Sequence, residues 1–156
     1  TQLYFWLMGG LAGRGWEHLA LLAPYAAVAT LGLAAYVPRL NLLGLGEETA
    51  RGLGVDLARD QRAVVALAAL LTAAVVSVCG MIGFVGLVVP HVARLLAGPD
   101  LRRMLPVAAL LGATLLPAAD LVARLAWAPV EIPVGVLTAM LGAPFFLMLL
   151  ARRGAA

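Results

Sequence analysis

The sequence predicts an all-α protein whose helices cross a lipid bilayer. Of its 156 residues, 63% are hydrophobic and 12% are charged, whereas a soluble domain is about half apolar and about a quarter charged. Mean hydropathy is +1.01, and long uncharged stretches alternate with short ones that carry arginine. Each span needs about 20 residues, so the length allows several spans and no separate soluble domain. The predicted fold class is a polytopic transmembrane helical bundle of about five spans or half-spans.

The charge pattern excludes two classes of function. All eleven Lys and Arg positions are arginine, and in a membrane chain arginines first of all mark cytoplasmic ends. No basic run is interleaved with aromatic residues, as nucleic-acid-binding surfaces usually require. A P-loop needs a lysine, and this chain has none, so it does not hydrolyse ATP itself. The sequence holds one cysteine, Cys79, so an internal disulfide is not possible.

The first complete span is predicted from Leu19 to Pro38, with a kink at Pro24 and Arg39 at its end. Before it, residues 1–10 are typical of the end of another apolar segment, and a short connector follows them. The sequence opens with neither an initiator methionine nor a signal peptide. We therefore expect a piece of a longer protein.

Residues 63–90 carry no charge, which is too long for one perpendicular helix and too short for two full ones. Arginines flank both ends, so both ends are predicted on the cytoplasmic side. The reversal is placed at "CGMIGFVG", whose glycines allow a tight turn. We predict that Ala63 to Cys79 runs outward and that Phe84 to Ala97 returns as a short helix.

Two further spans complete the predicted bundle. Met104 to Ala123 runs outward, "AWAPVEIP" forms an outer loop, and Val134 to Ala151 returns. In the last span, small residues predict close helix packing and a proline predicts a kink. The residues expected to form the structural turns and bends are Gly80, Gly83, Gly86, Pro90, Gly142 and Pro144. This topology puts nine of the eleven arginines on the cytoplasmic side: 39, 51, 59, 62, 94, 102, 103, 152 and 153.

Asn41 to Asp56, "NLLGLGEETARGLGVD", forms a polar segment between two of the predicted spans. A cytoplasmic turn between two spans needs only a few residues, so this longer connector is expected to form a structure of its own. Glu47 and Glu48 precede Arg51, the order that suits a helix dipole, and glycines at both ends would stop the helix. The residues alone leave two interpretations open, a solvated interfacial helix and a docking surface for a cytoplasmic partner.

Four segments, taken in order, resemble the second half of the FecCD-type permeases. They are "LNLLGLGEETARGLGVD", "GMIGFVGLVVPHVARLLAGPDLRRMLP", "ADLVARL" and "EIPVGVLTAMLGAPFFLMLL". These permeases are membrane subunits of type II ABC importers for iron-siderophores, haem and cobalamin. The resemblance covers essentially the whole chain, and it implies that residues 1–156 are the C-terminal half of a ten-span transmembrane domain.

The resemblance also implies roles for particular residues. The cytoplasmic coupling loop, about residues 41–58, would sit in a cleft of the ATPase subunit. Arg124, in "ADLVARL", would dock an acidic residue of the substrate-binding protein. From spacing alone, Arg124 follows Asp120 by one helical turn, so its side chain is expected either to form a local ion pair or to snorkel toward the membrane surface. The implied ATPase-coupling residues are Leu45, Gly46, Glu47, Ala50, Arg51, Leu53 and Gly54.

The implied function is transport of an iron chelate (siderophore or haem) or cobalamin from periplasm to cytoplasm across the inner membrane. ATP hydrolysis in a partner subunit would drive it, so the chain is expected to be no enzyme and to need no cofactor. The implied partners are the ATP-binding cassette ATPase, a periplasmic or lipid-anchored substrate-binding protein, and a second permease copy in a homodimer or pseudo-dimer. The cargo stays open, because permeases for all three share these motifs.

Two other functions are weaker interpretations of the sequence. An ion channel or proton-coupled carrier should bury acidic or histidine residues at mid-membrane, and Asp120, the sole acid within a predicted span, lies near its end. An intramembrane enzyme would use Cys79, His91 or Asp120, yet the topology places Cys79 and His91 toward opposite sides, where they would not meet as nucleophile and base. His91 has no second ligand at helical spacing, so no metal site is predicted.

Overall fold

The computed structural model describes residues 8–44, 46, 49, 52, 54, 56–126 and 132–153. Within these ranges the secondary structure is helical, and no strand is present. The predicted all-α fold class is confirmed. The helices are α1 (Trp16–Leu43), α2 (Leu57–Cys79), α3 (Val85–Ala97), α4 (Leu101–Ala126) and α5 (Val134–Arg153).

Three of these helices are long and apolar enough to cross a bilayer: α1, α2 and residues Leu101–Leu125 of α4. Helix α3 has 13 residues, so it is about 20 Å long at 1.5 Å per residue. The hydrocarbon core is about 30 Å thick, so the helix is shorter than a full span, and the prediction of a short helix here is confirmed. Large apolar side chains face outward on these helices, with Leu31 72% exposed and Leu110 69% exposed. Such surfaces are typical of helices that face lipid or neighbouring helices.

Helix α1 continues beyond its predicted end. We expected Pro38 and Arg39 to close the span, but the helix runs on to Leu43 and contains both Pro24 and Pro38. A proline removes one backbone donor without forcing a helix to stop, and neighbouring groups re-satisfy the freed carbonyl in membrane proteins. Arg39 is accommodated because it pairs with a carboxylate on α2.

The described residues fall into two compact units. The first unit comprises residues 8–13, 79–99 and 103–153, and the second comprises residues 14–78 and 100–102. In the second unit, α1 packs on α2 at Gly32, where an added Cβ would lie 2.9 Å from Cδ1 of Leu67. A glycine at this position lets the two helices approach closely.

In the first unit, α3 packs against α5. Gly142 of α5 faces the Phe84 side chain so closely that an added Cβ would overlap it. The rings of His91 and Phe145 meet edge to face, with centroids 5.7 Å apart and an angle of 74°. The close packing predicted for the last span is confirmed at Gly142.

The reversal before α3 differs in detail from the prediction. Gly80 does have a positive φ, +73°, but the second such residue is Phe84, at +63°. Gly83 lies in the turn without a positive φ. Four other residues that we expected at turns or bends lie within helices, which tolerate glycine and proline internally where their faces are well packed. Gly86 and Pro90 lie inside α3, and Gly142 and Pro144 lie inside α5.

Three backbone segments of the first unit meet in what we call the backbone junction: Met8–Gly10, Cys79–Met81 and Gly135. The Gly10 N–H donates to the Cys79 carbonyl at 2.8 Å, and the Gly135 N–H donates to the Gly9 carbonyl at 3.5 Å. A Cβ on Gly9 would overlap the Met81 carbonyl, and one on Gly135 would overlap the Met8 carbonyl. The turn after α2 and the start of the last span were both predicted on the outer side, and their contact agrees with that topology.

Candidate functional site

The polar segment is bounded by glycine corners, as predicted. Gly46 and Gly54 have φ values of +109° and +80°, a region in which glycine is favoured because it has no Cβ. Thr49 and Gly52 between them are helical. The other five implied ATPase-coupling residues lie outside the described residues: Leu45, Glu47, Ala50, Arg51 and Leu53.

An ion pair joins the two helices on either side of the polar segment. Arg39 Nη1 near the end of α1 donates to Asp60 Oδ1 in the first turn of α2, at 2.9 Å. The Asp60 side chain is 4% exposed and that of Arg39 is 56% exposed. The Arg39 guanidinium also lies 5.5 Å from the centre of the Tyr36 ring. Because an unpaired buried carboxylate is costly, this geometry holds the two helix ends together.

Asn41, the chain's single asparagine, connects the end of α1 to the start of α4. Its Nδ2 donates to Asp100 Oδ1 at 2.7 Å, and its Oδ1 accepts from the Leu101 N–H at 3.0 Å. Asp100 Oδ1 also accepts from the Arg102 N–H at 2.9 Å. The first N–H groups of a helix lack partners within it, so Asn41 and Asp100 together cap α4.

Sequence reasoning missed the role of Asn41. An aspartate just before "LRR" is a recognisable helix-start signal. The sequence contains no sign that a side chain some 59 positions earlier shares that cap.

A polar cavity of about 620 Å³ lies beside the Arg39–Asp60 pair. Its lining brings together cationic and anionic side chains near the point where the polar segment meets α2. Asp56 Oδ1 accepts there from the Arg59 N–H at 3.2 Å, which caps the start of α2. The lining residues are Tyr36, Arg39, Leu42, Gly54, Asp56, Arg59 and Asp60.

Of the two local interpretations of Arg124, the structure shows the ion pair with Asp120. Arg124 Nε and Nη2 both lie 2.8 Å from Asp120 Oδ2. The Arg124 side chain is 44% exposed and that of Asp120 is 17% exposed. A pair this accessible contributes little to stability. Its clearest structural effect is to fix the direction of a guanidinium that remains accessible in the last turn of α4.

The other two side chains considered for chemistry, those of Cys79 and His91, lie at packing positions. Cys79 is the last residue of α2, and its carbonyl belongs to the backbone junction. His91 packs on Phe145. Among the residues that the structure describes, no group of three or more His, Cys, Asp or Glu side chains could hold a metal ion.

The long apolar helices, with the polar segment between two of them, define a multi-pass membrane protein of the helical-bundle class. The chain belongs to the FecCD transport family, which it matches over residues 1–152. The resemblance drawn from the four sequence segments is thereby confirmed.

Named relatives and a solved structure agree with this assignment. The chain is 50% identical over 149 residues to the cobalamin import system permease protein BtuC of Halobacterium salinarum, covering 96% of this chain and 40% of the relative. It is 42% identical over 152 residues to the Fe(3+) dicitrate transport system permease protein FecC of Escherichia coli, covering 97% and 46%. A metal-chelate type ABC transporter solved in an inward-facing conformation matches with a TM-score of 0.88 and 39% identity, covering 97% of this chain and 49% of that one. The chain thus spans less than half the length of these relatives.

Proposed function

We propose that this chain is the C-terminal half of a permease subunit of an ABC importer. Its cargo would be an iron chelate (siderophore or haem) or cobalamin, carried across the inner membrane from periplasm to cytoplasm. The observation that carries the proposal is the match to the FecCD transport family over residues 1–152. The names of the relatives support the cargo class, since they include cobalamin, Fe(3+)-citrate and iron(3+)-hydroxamate import permeases. None of these names favours a channel or a proton-coupled carrier.

The energy for transport would come from a partner ATPase, since the chain has no lysine with which to build a P-loop. The stretch of the polar segment from Leu45 to Gly54, which holds the implied ATPase-coupling residues, would dock on that ATPase. It follows α1 and precedes α2 in the chain, and the ion pair between Arg39 and Asp60 holds these two helices together. A displacement of the polar segment would therefore act on both helices at once, and that motion would switch the pathway between outward and inward access.

The proposed assembly has two further partners. A substrate-binding protein would deliver the cargo to the outer side, with Arg124 contacting one of its acidic residues. A second permease copy would complete the pathway in a homodimer or pseudo-dimer.

The experiment that tests this function uses the complete permease purified with its ATPase and loaded binding protein. The variant Glu47→Ala/Arg51→Ala removes both charges that the docking role requires. We expect at least a tenfold loss of stimulated ATP hydrolysis, about 1.4 kcal/mol or more, together with weaker capture of the ATPase.

The matched control is Arg62→Ala. Arg62 is an exposed arginine near the start of α2, and its Nε donates to the Ala58 carbonyl of its own helix. It should leave both readouts unchanged. Normal stimulation and assembly in the Glu47/Arg51 variant would remove the polar segment from the mechanism.

Arg124 gives a second test of the proposed function, on the outer side of the membrane where the binding protein would dock. Arg124→Ala is expected to weaken binding of the loaded binding protein about tenfold, because a fork of charged donors to a carboxylate is lost. Arg124→Lys should recover only part of the affinity, since an ammonium lacks the planar fork. Surface plasmon resonance on the detergent-solubilised complex measures both. Unchanged affinity in Arg124→Ala would show that Arg124 serves only its pair with Asp120.

A further inference from the structure

We infer that Asn41 is a positioning residue that ties the polar segment to α4, so that displacement of the segment also displaces the start of α4. The inference rests on the proposed function, in which the polar segment receives motion from the ATPase. The connection between the polar segment and α4 is assigned to the Asn41 side chain and its two hydrogen bonds. It adds α4 to the helices that the ATPase would move.

The geometry selects an amide at this position. Asn41 donates to a carboxylate oxygen at 2.7 Å and accepts from a backbone N–H at 3.0 Å. A short side chain that donates and accepts at once must be an amide or a hydroxyl, and only the amide places the two functions on separate atoms. An aspartate at position 41 would keep the acceptor, lose the donor and face the carboxylate of Asp100.

The last turns of α1 are held on two sides. Arg39 binds Asp60 of α2, and two residues later Asn41 binds Asp100 and the first N–H of α4. The polar segment leaves α1 directly after this point, at Gly44, which caps the helix through its N–H to the Leu40 and Asn41 carbonyls. At the α1 end of the segment, motion toward or away from the membrane therefore passes through a turn that is bonded to both α2 and α4.

The bonds of Asn41 are directional and are partly accessible to water. The bond to Asp100 is exposed, and the bond from Leu101 is partly buried. Such bonds add little to overall stability, since water can replace them. They fix an orientation strongly, because two atoms of one planar group are held by partners that are adjacent in the chain. A small contribution to stability together with a fixed orientation is expected of a contact that transmits displacement from one helix to another.

The test exchanges the two side chains. Asn41→Asp and Asp100→Asn are made singly and together in the complete permease, with its ATPase and loaded binding protein. In the double variant the new amide at position 100 can donate to the new carboxylate at position 41. That carboxylate still accepts from the Leu101 N–H. In the wild type a single oxygen, Asp100 Oδ1, accepts from both Asn41 and the Arg102 N–H, so the exchanged amide keeps the bond to position 41 and leaves the exposed Arg102 N–H to water. The two bonds that join position 41 to residues 100 and 101 are thus retained with the charge moved.

We expect Asn41→Asp to lower the stimulation of ATP hydrolysis by the binding protein at least fivefold, while basal hydrolysis and capture of the ATPase stay within twofold of wild type. The double variant should recover at least half of the stimulation. Gln61→Glu, the same amide-to-acid change at an exposed position near the start of α2, is the matched control and should behave as wild type.

Three results would overturn the inference. They are normal stimulation in Asn41→Asp, no recovery in the double variant, and a parallel loss of assembly and basal activity, which a purely structural role would produce. Failure of the proposed function gives a different pattern: the wild-type complex itself would then show no hydrolysis that depends on the binding protein.

Discussion

Replacement of Gly9 by alanine is expected to destabilise the protein by about 2–4 kcal/mol, combining backbone strain with overpacking. Gly9 has a φ of +66°, and an added Cβ would overlap the Met81 carbonyl. Neither problem is relieved by moving a flexible side chain, because the obstructing atoms are backbone. The junction must open, and the bond from the Gly135 N–H to the Gly9 carbonyl is then lost as well.

The neighbouring residue supplies the control. Gly10 has no positive φ, and no atom lies within 4 Å of the position that an alanine methyl group would take there. Its own bond to Cys79 uses only the backbone. Gly10→Ala should therefore change the unfolding free energy by no more than about 0.5 kcal/mol. Unfolding of the purified protein in mixed micelles, titrated with SDS, measures both variants. Equal midpoints for the two would contradict the geometry of the backbone junction.

The second large effect is expected at the contact between α3 and α5. Gly142→Ala should cost about 1–3 kcal/mol, the usual cost of overpacking. The new methyl group would overlap Phe84 at its Cβ, and that atom cannot move unless the backbone moves. Phe84 itself holds a φ of +63°, which is strained for an aromatic residue.

The compensating variant makes this prediction specific. Phe84→Gly removes the obstructing ring and relieves the positive φ, so Gly142→Ala should cost much less in the Phe84→Gly background than in the wild type. A double-mutant cycle in the same SDS titration should give an interaction energy above about 1 kcal/mol. Gly112→Ala, in an open position on α4, is the control. Additive effects at positions 84 and 142 would show that the two residues do not touch.

The helices could be predicted because a bilayer imposes a simple rule on sequence. Four long apolar stretches led to all five helices, because arginine placement divided one stretch at the reversal that separates α2 from α3. The end of α1 could not be predicted in this way. Whether a helix stops at Pro38 depends on partners elsewhere in the fold, and Arg39 finds its partner 21 positions later.

In the site, as in the helices, contacts between residues close in the sequence could be predicted, and contacts between residues far apart in the sequence could not. The Arg124–Asp120 pair follows from their spacing on one helix. The backbone junction does not, because nothing in the sequence distinguishes Gly9 and Gly135 from the other glycines among the 17 present. Their importance comes from backbone atoms far away in the chain. The cap shared by Asn41 and Asp100 escaped prediction for the same reason.

The backbone junction also sets an order of assembly on the nascent chain. Gly9 precedes α1 and Gly135 lies in α5, so the ribosome synthesises all the intervening helices before the two can meet. The pairing of Gly10 with Cys79 can form once α2 has emerged. The Gly9 carbonyl must wait for α5, and an unsatisfied backbone group is costly wherever lipid excludes water. Insertion of α5 is therefore the step that closes this part of the protein, and interrupted translation would leave Gly9 without its final partner.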